Sequence, residues 1–177
     1  MMRIGFVMTT AVMVFGLGGC DQSNAERSSA DRPPTEVTAT LPIVNASAGD
    51  NVVTIFKSPT CGCCTKWASY LERNGFDVVT RDTENLEVIK GRLGVPRDLR
   101  SCHTATYGDR IIEGHVPVED IRDWIESESG GLLAVPGMPL GSPGMEHPRG
   151  SVTYETVFVS EDGTRRVFKH HPAAVRR

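Results

Sequence analysis

Apolar positions change their period several times along the chain, and each change marks a candidate element. Asn51–Ser58, NVVTIFKS, is a β-branched and aromatic run of the kind that fills a buried strand. From Cys63 to Asn74, Trp67, Tyr70 and Leu71 recur at helical spacing, and Gly75 follows as a helix-ending residue. Phe76–Asp82, FDVVTRD, reads as a second strand. In NLEVIKGRLGVP (85–96), Leu86, Ile89 and Leu93 share a helical face before Gly94 and Pro96 end it. Thr104–Val116 predicts two short strands around a Gly108-Asp109 turn. PVEDIRDWIES (117–127) predicts a third helix, with Pro117 at its first position and Val118, Ile121 and Ile125 on one face. Gly130–Gly150 is a long loop dense in Gly and Pro, and a loop of that length in a compact domain points to function or mobility. VTYETVFVS (152–160), a Glu161-Asp162-Gly163 turn and TRRVFKH (164–170) then predict a β-hairpin.

The first fifty residues have a different character. Met1-Met2-Arg3 is a short positive start, and Ile4–Leu17 is apolar but short and Gly-rich for a membrane span. It ends in LGGC (17–20), which resembles a bacterial lipoprotein processing site. Residues 1–20 are therefore expected to be a signal peptide, with Cys20 lipidated and the protein held to a membrane in the periplasm. Residues 21–48 are polar and aperiodic, a flexible linker, and 49–177 form the domain. The chain has 177 residues and a net charge of -3, which gives no reason to expect a nucleic-acid partner. Setting Cys20 aside leaves four cysteines, Cys61, Cys63, Cys64 and Cys102, in an oxidising compartment.

The order β-α-β-α-β-β-α, with a C-x-x-C (Cys61 to Cys64) where strand one meets helix one, resembles the thioredoxin fold. The expected class is α/β, thioredoxin-like, with a Gly/Pro/Met-rich loop and a C-terminal hairpin. At a helix N-terminus the free N–H groups favour thiolates. Cys61 and Cys64 lie on one side of the first turn, whereas Cys63 is rotated about 100° from Cys64, an awkward set for one small ion and a better one for a cluster. In thioredoxin-like folds the segment before strand three packs on the C-x-x-C, and here it is Ser101-Cys102-His103. Four converging thiolates suit soft ions, and their summed charge favours several Cu(I) ions over one divalent ion. His103, His115, Met138 and Met145 are further candidate ligands. Each also has a plainer reading: a backbone hydrogen bond for His115, core packing for the two methionines. His147, His170, His171 and Lys57 read as solvated residues, although the Lys57 charge could favour nearby thiolates.

Together, VTIFKSPTCGCCTKW, SCHTATYGDRIIEGHVPVEDI and GLLAVPGMPLGSPGME resemble the CopG-type periplasmic copper-resistance proteins, which are distinct from the DNA-binding repressors sharing that short name. The resemblance covers about Val52 to Glu146. It implies a thioredoxin-like fold that binds copper through Cys61, Cys63, Cys64 and Cys102, with His115, Met138 and Met145 in other recurrent motifs. The expected cofactor is copper as Cu(I). The expected partners are copper ions, other periplasmic copper-resistance proteins and a membrane through the lipid anchor. Two other readings stay open, a thiol–disulfide oxidoreductase using Cys61 and Cys64 and a copper redox protein, because four cysteines permit three pairings.

Overall fold

In a computed structural model of the chain, the described residues are 51–128 and 130–174. The expected signal peptide, the lipidation site Cys20 and the linker lie outside them.

The elements follow the expected order: β1 (Val52–Lys57), α1 (Gly62–Arg73), β2 (Asp77–Asp82), α2 (Leu86–Arg92), a 3-10 turn (Arg97–Leu99), β3 (His103–Tyr107), β4 (Arg110–Glu113) and α3 (Val118–Ser127). Three more strands follow: β5 (Leu132–Ala134), β6 (Tyr154–Val159) and β7 (Arg165–His171). All seven strands form one sheet in the order β2-β1-β3-β4-β5-β6-β7. The β1–β2 and β4–β5 pairs are parallel and the others antiparallel. The β2-β1-β3-β4 portion with its three helices is the arrangement that the β-α-β-α-β-β-α order predicts.

Alternation along the strands separates two cores. Val53, Ile55, Ala105, Ile112 and Leu133 pack with Trp67 and Leu71 of α1 and with Ile121 and Trp124 of α3. Leu132 and Ala134 point the other way, onto Val95 and Leu99 of the segment after α2. Trp67, Leu71, Ile121 and Trp124 are fully buried, each contributing roughly 1.5–3 kcal/mol by leaving water. Helix α1 ends as the sequence predicts. Gly75 has φ +86, its N–H donates to the Glu72 carbonyl, and Phe76 N–H donates to Leu71, a paired closure that needs a left-handed residue.

Three details differ from expectation. Pro117 is the N-cap of α3 with extended backbone (ψ 144), one residue before the helix begins. The hairpin is joined to the main sheet rather than appended to it. The joint is β5, a three-residue strand hidden inside the stretch read as loop, and it pairs with β4 on one side and β6 on the other.

Candidate metal centre

Helix α1 starts at Gly62, so Cys61 is its N-cap with extended backbone (φ -75, ψ 93), and Cys63 and Cys64 lie in the first turn. Cys61 and Cys64 are joined as a disulfide, while Cys63 and Cys102 are free thiols. Cys63 stands next to Cys64 in the turn, about 100° round the helix from it, and still reaches the pair through Cys61. Because Cys61 is outside the helix, its sulfur comes within 3.5 Å of Cys63 Sγ. Cys102 arrives from the segment just before β3, with its Sγ 3.5 Å from Cys64 Sγ and 4.0 Å from Cys63 Sγ. The four sulfurs all lie within 4.8 Å of one another.

A second donor group shares Cys102. Its sulfur is 3.0 Å from His115 Nε2 and 3.4 Å from His103 Nδ1. The His115 Nδ1–H donates to the Pro143 carbonyl at 2.7 Å, which leaves the Nε2 lone pair facing Cys102. His103 is fully buried between the Trp67 and His115 rings, and its Nε2 has no hydrogen-bond partner. Burial lowers the pKa of both histidines, and of His103 most strongly, so both rings are neutral. The Cys102 thiol is pushed up to about 12, first by burial and then by the adjacent Cys63 sulfur. In this state it is an S–H donor to His115, and it must release its proton to bind a metal.

The Gly/Pro loop covers this cluster. The Ser101 hydroxyl donates to the Gly137 carbonyl, and Gly137 N–H donates to the Arg100 carbonyl at 3.2 Å. Gly144, at φ +82, presses on α1 so closely that a Cβ there would lie 2.9 Å from the Cys63 carbonyl oxygen and 3.0 Å from Trp67 N. Met145 follows it and is half-buried. Met138 follows Gly137 with its side chain mostly exposed. Cys61, Cys63, Cys64, Cys102, His103 and His115 are thus brought together, and the two methionines belong to the lid over them.

Some charged residues are not where the sequence reading put them. Lys57 is buried rather than solvated, because Asp82 on the parallel strand pairs with it at 2.8 Å. Lys90 and Glu113 are fully buried and pair at 2.5 Å, a contact that sequence reasoning missed. His171 is not solvated either. Its Nε2 lies 2.8 Å from the buried Asp120 carboxylate and 3.0 Å from Thr156 Oγ1, and its ring stacks on Tyr154. His171, Asp120 and Tyr154 line a cleft of about 390 Å³ together with Gly141, Pro143 and Glu146 of the Gly/Pro loop. His170 is exposed beside Glu155, as expected.

Residues 99–145 match a family described as "Protein of unknown function, DUF411". The fold matches two solved structures, Form 1 and Form 2 of "Copper resistance protein copG". Form 2 is 36% identical over 69% of this chain and 98% of its own, with a TM-score of 0.66. Form 1 is 37% identical over 70% of this chain and 98% of its own, with the same TM-score. No curated relative matches the chain.

Proposed function

Because the chain belongs to the CopG family of copper-resistance proteins, we propose that it serves copper resistance by holding Cu(I) at Cys61, Cys63, Cys64 and Cys102. The observation that carries this reading is the meeting of four sulfurs within 4.8 Å from two separate segments. Thiolates select soft ions, and neutral imidazoles at His103 and His115 extend the donor set around Cys102 without adding charge. The two lysines buried nearby, Lys57 and Lys90, already pair with Asp82 and Glu113. Four thiolates therefore need their charge balanced by the metal, which favours a polynuclear Cu(I) site over one ion. Met138 and Met145 act as softer, outer thioether contacts on the lid.

With Cys61 and Cys64 joined as a disulfide, only Cys63 and Cys102 can offer thiolates, so that bond must be reduced before a four-thiolate site forms. A thiol reductant supplies two electrons and two protons to break the Cys61–Cys64 bond, and four thiols then lose their protons as Cu(I) enters. The disulfide also supports a second reading, thiol–disulfide exchange, in which a substrate thiolate attacks Cys61 and Cys64 leaves. Cys64 is fully buried and Cys61 is not, so Cys61 is the accessible sulfur. Against this, Cys63 and Cys102 each stand 3.5 Å from one disulfide sulfur and would intercept the intermediate. The periplasm, a lipid anchor at Cys20 and transfer to other copper-resistance proteins of that compartment complete the proposal.

The deciding experiment is an anaerobic Cu(I) titration of the reduced protein, counting copper per chain before and after Cys102→Ser and Cys63→Ser. Several copper ions in the wild type, falling in both variants, are expected. Less than one copper per chain, with disulfide reductase activity intact in Cys63→Ser, would overturn the metal reading in favour of exchange.

A further inference from the structure

We propose that the buried Glu113, anchored by Lys90 and Thr104, is a positioning residue whose acceptor oxygen holds Ser101, and through it Cys102, in register with the sulfurs of α1. The inference rests on the copper reading for its functional meaning, but its geometry stands independently. Strand β3 begins at His103, so the Ser101 N–H lies outside the sheet ladder and has no strand partner. Glu113 Oε1 takes that N–H at 2.6 Å and the Lys90 ammonium at 2.5 Å. Glu113 Oε2 takes the Thr104 hydroxyl at 2.5 Å, and that hydroxyl in turn accepts from Lys90 at 2.7 Å. Lys90, Thr104 and Glu113 are all fully buried, so this closed circuit sits in a low dielectric where its bonds are stiff.

Ser101 is gripped from two further sides. Its hydroxyl donates to the Gly137 carbonyl of the lid. Gly114, at φ +74, passes so near that a Cβ would fall 2.6 Å from the Ser101 Cβ. Cys102 is the next residue, and it is the only cysteine of the four not on α1 or its cap. Metal sites need their ligands held to about 0.5 Å, and an unsupported connecting segment does not provide that. A buried ion pair is a poor device for stability alone, since apolar residues of similar volume do as well or better. A carboxylate here does what an apolar side chain cannot: it accepts the Ser101 N–H.

Two double variants of the full chain separate placement from packing. In Lys90→Met/Glu113→Gln the charges are gone, but the amide oxygen still accepts from Ser101 and the amide nitrogen donates to Thr104. In Lys90→Met/Glu113→Leu the volume is kept and the acceptor is lost. The Gln variant is expected to match the wild-type copper count with affinity within about threefold, and the Leu variant to lose about 10-fold or more. Equal affinity in the Leu and wild-type proteins, or equal losses in both variants, would overturn the proposal. If the Leu variant does not fold, amide hydrogen exchange of the wild type decides: Ser101 N–H must be protected like the β3 amides, and rapid exchange there refutes the clamp. A wild type that binds no copper but protects Ser101 would sink the copper reading and leave the clamp standing.

Discussion

Replacing Gly144 by Ala tests whether the lid takes part in the metal centre. The added Cβ meets two backbone atoms of α1, the Cys63 carbonyl oxygen at 2.9 Å and Trp67 N at 3.0 Å, and lies 3.3 Å from His115 Nδ1. Backbone atoms in the first two turns of a packed helix cannot step aside, so the lid must lift. A non-glycine residue at φ +82 adds roughly 1–2 kcal/mol of strain. Lifting the lid withdraws the Pro143 carbonyl from His115, a bond worth about 1 kcal/mol. The expected loss of stability is therefore about 2–3 kcal/mol. Gly163 provides the control. It has φ +85 in the β6–β7 turn and nothing within 4 Å of its would-be Cβ, so Gly163→Ala carries the backbone strain alone. Competition against a chromogenic Cu(I) chelator should show Gly144→Ala losing about 10- to 100-fold in affinity, the usual effect of disturbing the support of a ligand histidine. Gly163→Ala should leave affinity unchanged. If both variants bind Cu(I) like the wild type, the lid does not orient His115 for metal and the reasoning fails.

Two other outcomes follow from the buried polar groups. Burial lowers the pKa of His103 and His115, so below the ordinary histidine value of about 6.5 the unfolded chain takes up protons that the folded chain refuses. Stability of the metal-free protein should fall as pH drops from about 6.5 to 5, by up to about 1.4 kcal/mol per unit for each histidine, and His103→Phe should flatten that slope. Urea titrations across the window check this, and a slope unchanged in His103→Phe contradicts it. Asp120→Ala removes a buried carboxylate that ties α3 to His171 and Thr156 of the hairpin; it should destabilise by about 3 kcal/mol in thermal or urea unfolding while leaving the copper count intact. A copper count that falls with it would mean that the cleft and the metal centre are coupled.

The parts of the fold that were legible in sequence are those with a long period or a local chemical signal. Helix α1 carried its own closure at Gly75, and Cys61–Cys64 announced the strand–helix junction. The order of elements then placed Cys102 opposite them. Strand β5 was not legible because Leu132, Leu133 and Ala134 are buried on both faces, show no alternation and are too short to register against the glycines around them. Lys90 and Glu113 were passed over because charges read as surface. A signal was present, since Lys90 stands four residues after Leu86 and three before Leu93, inside the apolar stripe of α2. The approach of Cys63 to Cys61 depends on where the first helical turn begins, a one-residue question that periodicity does not resolve.

The short strand β5 has a consequence for how such a centre can diversify. The lid leaves the sheet after Ala134 and returns at Tyr154, into the neighbouring strand β6, where Ala134 is paired with Val157. Its two ends are therefore pinned side by side, and doubling its length would cost only about 0.6 kcal/mol in closure entropy. The thiols below are carried by α1 and the Ser101 segment, and the lid touches that frame through Gly137 at Arg100 and Ser101, Pro143 at His115 and Gly144 on α1. Descendants of one scaffold can thus vary or lengthen the covering segment between those contacts, and with it the outer contacts offered to a bound ion, without renegotiating the fold. The same stretches are where an engineer would lengthen the lid.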